Sequence, residues 1–81
     1  MASAAKTLEL VLRGRSDANI RFASLRNLVC ALGFDERIRG DHFIYSRTGI
    51  MEIINIQPGS GGKAKPYQVK QIRGIITKYN L

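Results

Sequence analysis

His42 is the only histidine in the chain, and imidazole is the one side chain whose ordinary titration range lies close to neutrality. It sits in Arg39-Gly40-Asp41-His42-Phe43-Ile44-Tyr45, directly after a glycine and an aspartate and at the head of an alternating apolar run. A histidine at a strand start beside a turn is placed either for proton transfer or for a local hydrogen bond and nothing more. Other chemistries lack their residues. One histidine, one cysteine inside an apolar helical pattern and scattered carboxylates do not make the three or four clustered ligands that zinc needs, so neither a metal nor a cofactor is expected. Hydrolysis by a Ser/His/Asp triad lacks a nucleophile elbow, and 81 residues leave little room for a substrate pocket and an oxyanion hole.

The second chemical feature is cationic. Gly59, Gly61 and Gly62 precede Lys63 and Lys65, a pattern that lacks the Gly-Lys-Ser/Thr ending of a nucleotide-triphosphate loop. It does deliver two lysines onto the first turn of a helix, where free amides and the helix dipole attract phosphate. The chain carries a formal charge of +7. Its first part opposes five cations with Glu9 and Asp17, and acids slightly outnumber bases between 34 and 60. After Gly61 come Lys63, Lys65, Lys70, Arg73 and Lys78 with no acid. Such a tail fits a polyanion, of which nucleic acid is the commonest; the plainer alternative is a solvated basic face.

The elements that must position these groups follow from periodicity. Leu8, Val11 and Leu12 predict a short helix over Ala4 to Arg13 that Gly14 ends. Arg15 to Asn19 reads as a loop in which Asp17 and Asn19 bond their own backbone. Leu25, Leu28, Val29 and Leu32 give the clearest helical stripe, over Ala23 to Leu32, with Gly33-Phe34 as its cap. From Phe34 the period becomes two. Runs at Asp35 to Arg39, His42 to Arg47 and Ile50 to Gln57, separated by Gly40-Asp41 and Thr48-Gly49, predict an antiparallel meander. The third run is apolar at both parities, which suits a strand covered on both faces, or one whose isoleucines of one parity are exposed. Pro58 to Gly62 is a flexible connection. Pro66 then opens a helix to Tyr79, with Val69, Ile72, Ile76 and Tyr79 inward and Lys70, Arg73 and Lys78 off that stripe.

The expected fold is therefore α+β, in the order α-α-β-β-β-α, with a three-stranded antiparallel sheet packed against helices. A helix, a meander and a closing helix that starts with lysines is the order of double-stranded-RNA-binding domains. One domain is expected over 1–81, with a helical N-terminal extension at 1–20 and a core at 21–81. The lone Cys30 reads as a buried reduced thiol. With no bilayer-length apolar run and no export signal, no membrane partner is expected and the cytoplasm is the expected compartment.

Leu32-Gly33-Phe34, Arg39-Gly40-Asp41-His42-Phe43-Ile44-Tyr45 and Lys65-Pro66-Tyr67-Gln68-Val69-Lys70-Gln71 together resemble the HicA family of toxins, from about Phe22 to the end. The resemblance implies a double-stranded-RNA-binding-domain-like fold, an endoribonuclease that cuts messenger RNA, and a HicB-like antitoxin as partner. It also implies that His42 is the catalytic residue. The family's motif is typically Gly-Ser-His, whereas here Asp41 holds the serine position and Phe43 follows. A carboxylate that met the imidazole would favour its protonated form.

The expected activity is metal-independent cleavage of RNA by attack of a neighbouring 2′-hydroxyl, with His42 transferring the proton and Tyr45 or a water as the second group. Lys63, Lys65 and Lys70 are expected to hold the RNA backbone, with Arg37 and Arg39 lining the approach to His42. The competing readings are a non-catalytic RNA-binding or ribosome-blocking module with the same lysines, and an adaptor whose basic surface pairs with an acidic protein.

Overall fold

The computed structural model describes residues 3–81; the first two residues of the expected N-terminal extension lie outside them. Helix α1 spans Ala4–Arg13, α2 Phe22–Ala31 and α3 Pro66–Tyr79, and between α2 and α3 lie β1 (Asp35–Arg39), β2 (His42–Ser46) and β3 (Ile54–Ile56). The fold is α+β in the order α-α-β-β-β-α, with an antiparallel sheet in the order β1-β2-β3.

Each helix end has a local cause. Ser3 caps α1 by accepting from the Lys6 amide, and Gly14 closes it in the left-handed region. Past α2, the Gly33 amide returns to Cys30 O and the Phe34 amide to Val29 O, the paired bonds of a Schellman cap. Phe34 itself is buried. Pro66 opens α3 without wasting an amide proton.

The inward stripe of α1 differs from the expected one. Thr7 and Val11 are buried, Leu8 and Leu10 pack at the margin, and Leu12 is half exposed. Thr7 occupies the inner line because its hydroxyl donates to Ser3 O at 3.1 Å and so reaches the core with its polar atom satisfied. Leu25, Leu28 and Val29 of α2 and Val69, Ile72, Ile75 and Ile76 of α3 complete the helical side of the core.

Arg39 pairs with His42 across the Gly40-Asp41 turn. Gly40 takes a φ of 60°, as the first central position of a tight primed hairpin turn requires. The second turn is not a two-residue hairpin. Arg47 O accepts the Ile50 amide at 3.0 Å, and the chain then travels to Ile54 before pairing with β2. The cause lies in Glu52, which accepts from Lys78 Nζ at 2.8 Å and from the Tyr79 hydroxyl at 2.6 Å, while the Met51 amide donates to that hydroxyl. These bonds hold 51–52 against the end of α3 and away from the ladder. β3 is thus a short edge strand with Ile54 and Ile56 buried, and Ile53 and Met51 are exposed.

The glycine connection is ordered by its backbone. Gly59 N donates to Lys63 O at 2.8 Å and Ala64 N to Ile20 O at 2.7 Å, and Arg21 and Pro58 form bridges with Lys63 and Ala64. A side chain at position 59 would press its Cβ to 2.8 Å from Lys63 O, so the close approach requires glycine.

Arg73 is a tie rather than a free cation. Its guanidinium meets Asp17 through both ends at 2.9 and 3.0 Å and also donates to Val11 O at 3.0 Å. Asp17 therefore bonds α3 instead of its own backbone, joining α3 to the turn Asp17–Asn19 and to the end of α1.

Candidate nucleic-acid interface

The alternation of β2 decides what its side chains meet. Phe43 and Tyr45 point toward the helices, opposite Ile56 and Ile54 of β3, whereas His42 and Ile44 point the other way. Register places Arg39 beside His42, Arg37 beside Ile44 and Asn55 beside Ile44. The outer face of the sheet thus brings together His42, Arg37, Arg39 and Asn55 on a solvent-facing surface.

Tyr45 is not the second acid–base group. It is fully buried on the opposite face from His42, and its hydroxyl donates to Glu36 Oε2 at 2.5 Å. Burial first, and the Glu36 carboxylate second, push its phenol far above the usual range. Glu36 also accepts two bonds from Arg26, at 3.2 and 3.1 Å. Arg26, then Tyr45, hold the carboxyl below its ordinary range. Arg26 lies over the Phe43 ring at 4.5 Å, and Phe43 meets Phe22 edge-on at 5.0 Å. This cluster fastens the β1–β2 hairpin to α2, and so sets where the opposite face of β2 presents His42.

Cys30 belongs to the rim of that cluster and is exposed, contrary to the buried thiol expected from the α2 pattern. It falls outside the inward line of Leu25, Leu28 and Val29, and its thiol reaches toward Glu36 Oε2 at 3.9 Å. Partial burial, then Glu36, raise its pKa.

The His42 side chain is half exposed, at 49 %. Its Nδ1 lies 3.2 Å from Asn55 Oδ1, and its Nε2 lies 3.2 Å from the amide nitrogen of Gln57. The Asp41 carboxylate is 3.8 Å from Nε2, beyond a good hydrogen bond. Gln57 Oε1 in turn accepts from Lys65 Nζ at 3.5 Å, and the Gln57 backbone amide donates to the buried Gln68 side chain at 3.3 Å. Lys65 is thereby linked to the histidine through a single amide.

The other expected contacts stand apart. Lys63 Nζ donates to Asn19 Oδ1 at 3.2 Å, beside Arg21, and Lys70 is exposed on α3. No bond joins either lysine to His42. At the start of α3, Pro66 has no amide proton, and those of Gln68 and Val69 return to Lys65 O. Any phosphate grip there relies on the ammonium groups more than on the backbone.

Asn55 and Gln57 are the residues that periodicity alone missed. Both lie in the expected third run, and a polar residue two positions from another at the end of an apolar strand is their only signal. Two concavities, of about 460 Å³ beside Asn19, Ile20 and Arg21 and about 280 Å³ beside Arg26, Cys30 and Glu36, do not include His42. Among the described residues, no three of His, Cys, Asp and Glu cluster as metal ligands, and no helix is long and apolar enough to cross a membrane. No protein-family model, curated protein or solved structure matches the chain.

Proposed function

We propose that the chain is an endoribonuclease of the HicA kind, the toxin of a toxin–antitoxin pair, with a fold of the double-stranded-RNA-binding-domain type and with His42 as its proton-transfer group. The observation that carries this reading is the placement of a half-exposed imidazole on a sheet face with Arg37 and Arg39, one amide away from the Lys65 ammonium. Cations of this kind hold a phosphodiester, and the histidine beside them meets the sugar hydroxyl. The 2′-oxygen bonds to phosphorus as its proton passes to the imidazole; the bond from phosphorus to the 5′-oxygen breaks, and that oxygen takes a proton from water. No metal enters the step. The work is done in the cytoplasm on messenger RNA, until a HicB-like protein covers the basic face.

Purified protein in excess chelator, given an RNA with one 2′-deoxy position, tests the chemistry. Cleavage everywhere except at the substituted position is expected, and cleavage there at the normal rate would rule out attack by the 2′-hydroxyl.

A second reading, a non-catalytic RNA-binding or ribosome-blocking module, is favoured by the engagement of both ring nitrogens by neighbouring amides. It expects RNA affinity without cleavage.

A further inference from the structure

We infer that Gln57 is a positioning residue that lets Lys65 dictate which nitrogen of His42 carries the proton, and that caps the basic nitrogen until a phosphate draws Lys65 away. The inference rests on the ribonuclease reading for its use, but not for its geometry. Lysine is only a donor, so the Gln57 oxygen must face it, 3.5 Å away. That orientation turns the Gln57 amide nitrogen, itself only a donor, toward His42 Nε2 at 3.2 Å. Nε2 must then accept, which places the ring proton on Nδ1, and Nδ1–H meets an acceptor in Asn55 Oδ1 at 3.2 Å. Each bond in the series from Lys65 to Asn55 has a donor at one end and an acceptor at the other, and the direction is set by a charge that cannot reverse.

The opposite arrangement, with Gln57 turned over, would put its amide hydrogens against the ammonium. Among the described residues Asp41 is the one group that favours a proton on Nε2, and at 3.8 Å, largely exposed, its pull is screened by water. The Gln57 side chain is held near the ring because its own backbone amide is fixed by buried Gln68.

The functional consequence follows from the same bonds. While Lys65 holds Gln57, the lone pair on Nε2 is occupied. A phosphodiester that takes the ammonium leaves Gln57 without its charged partner, the amide is free to rotate, and Nε2 becomes available to accept the 2′-hydroxyl proton. Nδ1–H stays on Asn55 throughout.

Because His42 is the only histidine, nitrogen-15 spectra of the imidazole report on it without assignment. At a pH where the ring is neutral, the parent is expected to show the Nδ1–H tautomer. In Gln57→Glu the carboxylate only accepts, so the ring is expected to switch to Nε2–H; in Lys65→Met a mixture of tautomers is expected, with thermal melting used to confirm that each variant is folded. Adding a 2′-O-methyl oligonucleotide, which cannot be cut, is expected to move the parent's Nε2 resonance and to leave that of Lys65→Met in place. An Nε2–H tautomer in the parent, or an unchanged Nδ1–H tautomer in folded Gln57→Glu, overturns the inference. These spectra need no turnover: a wrong tautomer beside an inactive His42→Ala removes only the role of Gln57, and a right one beside a fully active His42→Ala removes only the catalytic role of His42.

Discussion

His42 Nδ1 lies 3.2 Å from Asn55 Oδ1, a bond that crosses from β2 to β3 and fixes the ring on the outer face of the sheet. The orientation of the only imidazole is therefore a property of the strand pairing. Asn55→Ala leaves the buried Ile54 and Ile56 untouched, so the fold is expected to persist while the ring rotates. Single-turnover cleavage is expected to fall about 10-fold to 100-fold, the scale of a misplaced reacting group. Unchanged cleavage in a folded Asn55→Ala protein would show that this bond positions nothing.

RNA binding at the start of α3 is electrostatic in this account. Releasing counterions costs affinity as salt rises, and the slope of log affinity on log salt is about 0.7 per phosphate neutralised on a single strand. Lys63→Ala combined with Lys65→Ala is expected to flatten that slope by about 1.4 and to weaken unrelated RNAs equally. An unaltered slope would move the surface to Arg13, Arg15 and Arg21.

Arg73 is a structural cation, set apart from those proposed to bind RNA. Its bonds to Asp17 and Val11 are mostly shielded from solvent, and Arg73→Ala is expected to cost about 2 kcal/mol of stability. For a chain of this size that lowers the melting midpoint by about 10 °C. The salt dependence of RNA binding is expected to stay as in the parent. Calorimetry and a salt titration of the same variant check both halves.

Glu52 makes the fold sensitive to acid. Lys78 first, then the Tyr79 hydroxyl, push its carboxyl down to about 2, against an ordinary value of 4.5. A group whose pKa is lower in the folded state contributes stability above its unfolded value, and that contribution is lost as pH falls through the folded one. The loss is thus expected between pH 4.5 and 2. Denaturant unfolding of Glu52→Gln across that interval should give a shallower pH dependence than the parent, and identical slopes would remove Glu52 from the acid response.

The order of elements was legible because Leu25, Leu28 and Val29 repeat at helical spacing and because Gly40-Asp41 marks a tight hairpin. The end of the meander was not. Ile50 to Ile56 carries strand-forming side chains throughout, and only the tertiary bonds from Glu52 to Lys78 and Tyr79 keep its first half out of the sheet. Pairings between distant residues leave no periodic trace either, which is why Arg73 reads as a solvent cation, whereas Cys30 reads as core because its apolar neighbours outweigh its place off the line of Leu25, Leu28 and Val29. The candidate site was legible at His42, at Arg39, its partner in register, and at Arg37, two positions along on the same face. Tyr45 was misread because, three positions along the strand, it faces the opposite side of the sheet. Asn55 and Gln57 required the β2–β3 register, which sequence spacing did not supply.

The central claim is that His42 transfers a proton, and one comparison tests it most directly: RNA cleavage by purified parent and His42→Ala proteins, each matched by thermal melting and by RNA affinity. The side chain is half exposed, and its removal leaves no core cavity, so stability is expected to change by about 0.5 kcal/mol or less. Loss of a positioned proton-transfer group is expected to slow cleavage by about 100-fold to 10,000-fold with affinity retained. A His42→Ala protein that melts like the parent, binds RNA like the parent and cuts at the parent rate would contradict the account and remove His42 from the chemistry.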